Sequence, residues 1–164
     1  MSTRIRRLDN SPSPQAIADG SRWEGDRLSV YSDSLGYPTQ GRGRHTGVHF
    51  GDPDITPETL ELWFAQDWQR AHDGALRLFP SLDQYDTTRR EALIWLVFNM
   101  GLTTLSGFGP FIGHINACEW DEASFHVLTN MAGHITPYVQ QVGARAEETA
   151  LRICSGNVLK EFRV

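Results

Sequence analysis

The chain has 164 residues, 40% of them apolar with five Trp and eight Phe, and carries a formal net charge of −5. That is enough for one domain, or two closely joined lobes, with a real core, and it excludes a disordered chain; the charge bears on association and solubility and not on fold. The longest apolar run, Ala92 to Phe98, is too short to cross a bilayer, and no apolar stretch follows the arginines near the N-terminus, so neither a membrane span nor a signal peptide is expected.

Residues 1–12, with Arg4, Arg6 and Arg7, read as a flexible basic arm. Ser13-Pro14 then starts a helix, because serine caps the first N–H groups and proline tolerates the first helical position. Ile17, Ala18 and Trp23 form its apolar face and Gly25 stops it, so Glu24 stands at a helix end. Arg27 to Tyr31 alternates as a short strand, Asp33-Ser34-Leu35-Gly36 is a turn, and Thr39 falls on the returning strand. Thr56-Pro57 opens a long helix, apolar at Leu60, Trp63, Phe64 and Trp68, that should run to about residue 73. Leu82 to Met100 is the next, and its segment Ala92 to Phe98 is apolar on every side, the pattern of a helix surrounded by others. Short helices at about 110–116 and 121–131 precede a final one from Thr136-Pro137 to Ile153, closed by Ser155-Gly156.

Two carboxylates, Glu24 and Asp33, followed by the hydroxyl of Thr39 suit general acid/base hydrolysis, although acidic residues are usually just solvated surface groups. Their surroundings say more. Glu24-Gly25, Arg27-Leu28, Tyr31 and Asp33, then Gly36, Thr39, Gly41 and Gly43, spell E-G, R-L-x-x-Y-x-D and G-x-x-T-x-G-x-G. This resembles the active-site signature of the phage-type lysozymes, glycoside hydrolase family 24. Ile55-Thr56, Trp63-Phe64 and Gln66-Asp67 resemble the family's linking helix, while Arg89-Arg90, Val97 to Gly101 and Gly107-Phe108 resemble its buried central helix and following turn. Trp120 to Ala123 and Thr136-Pro137 continue the match, which covers about residues 13 to 157.

The resemblance implies a predominantly helical α+β fold: a small antiparallel hairpin or meander lobe at about 24–55, a linking helix, and a helical lobe at about 82–157, all within one catalytic domain at 13–164. It implies a muramidase that cleaves the β-1,4 bond between N-acetylmuramic acid and N-acetylglucosamine in peptidoglycan. Glu24 would be the acid, Asp33 would position or activate water, and Thr39 would help to hold it. The family's arginine partner of the glutamate maps to Arg145, with Arg152 as the competitor. Gly43, Arg44, His45, Phe98, Asn99, Phe111 and His126 map to substrate contacts, and plain core is the other reading of Phe98. Where the family reads G-x-G-H, this chain has Gly43-Arg44-His45, so either Arg44 or His45 would meet Asp67.

Other chemistries fit less well. His45, His49, Asp52 and Asp54 lack the helical spacing of a zinc site, no G-x-S-x-G elbow occurs, and Gly41-Arg42-Gly43 does not open a helix as a dinucleotide loop does. Arg42 and Arg44 make a basic loop, but no nucleic-acid motif accompanies it. Cys118 and Cys154 read as reduced, buried thiols. The expectation is therefore a soluble, cofactor-free, metal-free monomer acting on glycan strands. Synthesis in the host bacterial cytoplasm is expected, with either a free endolysin released through a holin or a virion-borne lysozyme as what the resemblance implies. The rival readings are a lytic transglycosylase and a non-catalytic wall-binding module.

Overall fold

The computed structural model describes residues 10–130 and 132–157, so all but the last three residues of the expected N-terminal arm lie outside the described residues. The chain forms two compact units that divide between Arg70 and Ala71.

In the first unit, helix α1 (Pro14–Glu24) begins and ends as its sequence dictates: Ser13 Oγ accepts the Ala16 N–H at 3.2 Å, and the Gly25 N–H closes on Ser21 O at 3.1 Å. Strands β1 (Arg27–Ser32) and β2 (Pro38–Gly41) pair antiparallel, Tyr31 opposite Thr39 and Arg27 opposite Gly41. Four steps of β1 thus span two of β2, and the extra residues form a bulge that sharpens the local twist. Beyond β2 the chain turns again, Gln40 and Arg44 exchanging both backbone hydrogen bonds at 2.8 and 3.0 Å. The buried Gln40 side chain pins this turn by donating to Leu28 O at 2.7 Å and Pro53 O at 3.0 Å. Helix α2 (Pro57–Leu78) begins beside Thr56, whose Oγ1 accepts the Thr59 N–H. Its fourfold spacing buries Leu60, Phe64 and Trp68 along one stripe.

The second unit takes in the rest of α2, which runs past the expected residue 73 to Leu78 with Ala71 and Ala75 buried. Instead of one helix from Leu82 there is a short 3-10 turn, Leu82–Gln84, and then α3 (Thr87–Met100). Tyr85 is extended, and Asp86 caps α3 by accepting the Arg89 N–H at 3.1 Å, so a local side-chain cap outcompetes helical continuation. Ala92 to Val97 are all buried, as a helix enclosed by others requires. The remaining helices are α4 (Leu102–Ser106), absent from the sequence reading, α5 (Gly109–Asn116), α6 (Trp120–Leu128), α7 (Pro137–Val142) and α8 (Ala144–Ser155). The single final helix expected from Thr136 is two, because Gly143 adopts φ 56°, ψ −127°, open in practice only to glycine.

Arginine joins α3 to the end of α8. Arg89 Nε donates to Ile153 O at 2.8 Å and Nη2 to Cys154 O at 2.6 Å, while its guanidinium lies over the Trp120 ring. These bonds satisfy carbonyls that a helix C-terminus leaves open and place a cation at the negative end of its dipole. Cys118 is exposed and Cys154 half-buried, both free, which corrects the expectation of buried thiols. Cys154 Sγ donates to Asp121 Oδ1 at 3.0 Å, and that bond is the main reason its thiol titrates above the ordinary range. The architecture is the expected predominantly helical α+β fold, with one two-stranded hairpin as the sheet among the described residues.

Candidate active site

The first unit carries both carboxylates. Glu24 is the last residue of α1, and Gly43 lies beside it: a β-carbon added at Gly43 would sit 3.5 Å from Glu24 Oε2. Gly43 has φ +85°, so the absence of a side chain answers both the backbone conformation and the open approach to the carboxyl. Tyr31, on β1, feels both acids. Burial is the main cause of its raised phenol pKa, and the negative charges of Glu24 and Asp33 push in the same direction against Arg27.

Asp33 is held by its own turn. Its Oδ1 accepts the N–H groups of Tyr37 at 2.8 Å and Leu35 at 2.9 Å, an Asx-type closure of the hairpin. The Tyr37 N–H is the main cause that keeps this carboxyl below the usual range, partial burial opposes it, and the Leu35 N–H, the Thr39 hydroxyl and the charge of His45 add to the lowering. Thr39 is buried on β2 and donates to Tyr37 O at 3.1 Å. Its hydroxyl lies between that carbonyl and the Asp33 carboxylate, and rotation of one proton changes its partner. An ionised carboxylate and a hydroxyl that can both donate and accept are what orienting a water requires.

The supposed basic loop turns inward. Arg42 keeps only 3% of its side-chain surface exposed. It donates through Nε to Asp26 at 2.6 Å, through Nη1 and Nη2 to Glu61 at 3.2 and 2.7 Å, and through Nη2 to Ser21 Oγ at 2.9 Å, with its guanidinium over the Phe64 ring. The alternative left open at Asp67 is resolved in favour of Arg44. Its Nε and Nη2 meet the two carboxylate oxygens at 3.1 and 2.9 Å, and its guanidinium stacks on Trp63, whereas His45 stays exposed. A planar fork matches a carboxylate in a way that an imidazole does not. The sequence reading passed over Gln40 and took Arg42 only as part of a basic loop; an arginine between two glycines carries no mark of burial.

Asn99 and Arg145 come together in the second unit, Arg145 Nη1 donating to Asn99 Oδ1 at 3.2 Å. Asn99 Nδ2 is buried with no hydrogen-bond partner among the described residues. Phe98 is half-buried against Trp95 at 4.9 Å between ring centroids. Phe111 and His126 share a cavity of about 450 Å³, also lined by Phe108, Thr129, Thr136 and Pro137. His126 stacks on His114, which is tied in turn to Glu119 at 2.6 Å. Arg152, the competitor of Arg145, is buried and pairs with Glu148 at 2.7 Å. Among the described residues no three His, Cys, Asp or Glu side chains group as metal ligands, and no helix is long and apolar enough to cross a membrane.

The phage lysozyme family model matches residues 21–146, the span that holds Glu24, Asp33 and Thr39, and the chain belongs to that family. Two curated relatives bracket it. Over 103 residues it is 36% identical to the endolysin of Salmonella phage P22, covering 58% of this chain and 66% of that protein. It is 26% identical over 174 residues to the pre-baseplate central spike protein Gp5 of Enterobacteria phage T4, covering 92% of this chain but 29% of that protein. The chain thus spans less than two thirds of either relative.

Two outcomes follow from the ion pairs. Asp67→Asn should cost about 1–3 kcal/mol, equally at about pH 5 and about pH 8, because the pair contains no imidazole; a penalty confined to the lower pH in thermal melts would return the role to His45. For Asp26 the Arg42 hydrogen bond is the main cause that lowers the carboxyl below its ordinary value of 3.8. Its contribution is therefore full above that unfolded value and lost as pH falls through the folded one. The melting-temperature gap between the parent and Asp26→Asn should be open at about pH 7 and should narrow as the pH falls below 3.8.

Proposed function

We propose that this chain is a peptidoglycan hydrolase, a muramidase acting on the β-1,4 bond between N-acetylmuramic acid and N-acetylglucosamine, with Glu24 as general acid and Asp33 as the base that activates water. The observation that carries the reading is the pairing, within one unit of a phage lysozyme family chain, of a helix-end glutamate open to Gly43 with an aspartate kept ionised by its own hairpin. Glu24 gives its proton to the leaving glycosidic oxygen while Asp33 takes one from water, whose oxygen attacks the anomeric carbon. Thr39 orients that water. No cofactor or metal is needed. The P22 relative, named an endolysin, and the T4 relative, named a spike protein, supply two settings for such a domain. In the first, the enzyme would act as a monomer, start in the host cytoplasm and reach glycan strands with help from a holin.

The reading of Asp33 as base rather than nucleophile is supported by the Thr39 hydroxyl beside its carboxylate, a second partner for a held water. Two backbone N–H groups on Oδ1 stabilise the anion and fix where the carboxylate stands. Retaining enzymes need carboxyl groups ~5–5.5 Å apart and inverting ones ~6.5–9.5 Å, the difference being room for water. Inversion is the outcome expected here, and the lytic transglycosylase is the reading that it excludes.

Glu24→Gln keeps the volume but cannot donate the proton, so lysis of outer-membrane-permeabilised Gram-negative cells should fall by about 10²–10⁴ at an unchanged melting temperature. A variant that lyses within about tenfold of the parent removes Glu24 from the role. Proton NMR of early digestion products should show the new reducing end first as the α-anomer. A β-anomer would mean a covalent intermediate on Asp33, and a 1,6-anhydro sugar would mean a transglycosylase.

A further inference from the structure

Arg42 is bonded to both sides of Glu24. Ser21, three residues before the glutamate, and Asp26, two after it, accept from its Nη2 and Nε, and Ser21 Oγ also donates to Asp26 at 2.9 Å. The six residues from Ser21 to Asp26, over which α1 ends, are thereby closed by one guanidinium. The same residue is the backbone neighbour of Gly43, whose open side faces Glu24 Oε2 at 3.5 Å. Its remaining donors go to Glu61 of α2, and its planar face lies over Phe64 on the same helix. The segment bearing the carboxyl, the turn that faces it and the helix behind them thus meet at one side chain. Gly20 leaves no slack, since a β-carbon there would stand 3.1 Å from Arg42 Cδ and 3.0 Å from Phe64.

We infer that Arg42 is a positioning residue that holds the Glu24 carboxyl against the Gly43 turn at the place where a glycosidic oxygen must be protonated. This rests on the reading of Glu24 as the acid. Arg42 touches no reacting atom in that scheme; it acts by fixing where Glu24 stands. A displacement of about 1 Å in a catalytic group can cost about a hundredfold in rate, whereas a glycan bound along many contacts hardly feels it. The partners of Arg42 keep 43% and 50% of their side-chain surface exposed at Asp26 and Glu61, so removing the guanidinium leaves no carboxylate buried without water and the fold can survive the change.

The test compares Arg42→Met, Arg42→Lys and Asp26→Asn with the parent on soluble glycan strands, at a temperature where circular dichroism shows each variant fully folded. Arg42→Met should lower kcat by about tenfold to a hundredfold with KM within about twofold, because positioning is lost and binding is not. Arg42→Lys, which reaches some partners but cannot form the fork, should recover part of that loss. Asp26→Asn should lower kcat by less than Arg42→Met, again at constant KM. If Arg42→Met does not fold, Arg42→Lys and Asp26→Asn decide alone. Parental kcat in the folded variants, or losses confined to melting temperature or to KM, overturns the positioning role. Glu24→Gln, run alongside, separates the two readings: if it is inactive while the Arg42 and Asp26 variants match the parent, only the positioning role fails, and if it is fully active, both fail.

Discussion

A guanidinium with almost no exposed surface must be neutralised and hydrogen-bonded where it stands, because a buried charge without partners costs several kcal/mol. Arg42 meets that demand by drawing in Ser21, Asp26 and Glu61, and the first unit is arranged around the result. Its nitrogens hold the end of α1 and the face of α2, and the turn after β2 carries the side chain that reaches them. Gly20 fits the same constraint from the other side, since Phe64 and Arg42 occupy the volume a larger residue would need.

Around that centre the hairpin is built from short-range rules. Asp33 closes one turn through its own carboxylate, Gln40 and Arg44 close the next through backbone bonds, and the Gln40 amide locks the pair to Leu28 and Pro53. The carboxylate that would activate water is thus also the cap that shapes its strand pair, which ties its ionised state to its position. In the helical unit Arg89 performs a comparable service, joining Asp86, the end of α8 and Trp120. Four arginines of the described residues serve as internal ties. Arg42, Arg44, Arg89 and Arg152 all face carboxylates, so the basic loop that a sequence count suggests does not stand as a surface patch.

What the sequence determined by itself was whatever depends on neighbours along the chain. Ser13-Pro14 and Gly25 bound α1 because capping and stopping are settled within a turn of helix, and the hairpin follows from Asp33 to Gly36 for the same reason. The all-apolar stretch Ala92 to Phe98 announced its own burial, which holds as far as Val97, with Phe98 half-buried. The spacing from Glu24 to Gly43 carried the family, because each of its residues answers a local demand that a linear motif records. Tertiary structure decided the rest. Whether Arg44 or His45 reaches Asp67, twenty-odd residues away, is a matter of geometry across α2, and the carboxylate went to the planar fork that matches it. The break at Gly143 and the 3-10 turn at Leu82 came from competition between caps and helix that composition does not rank. The inward use of Arg42 was invisible for a like reason: an arginine is written the same way whether solvated or buried, and only the convergence of Ser21 and Asp26 from the end of α1 with Glu61 and Phe64 from α2 makes burial favourable.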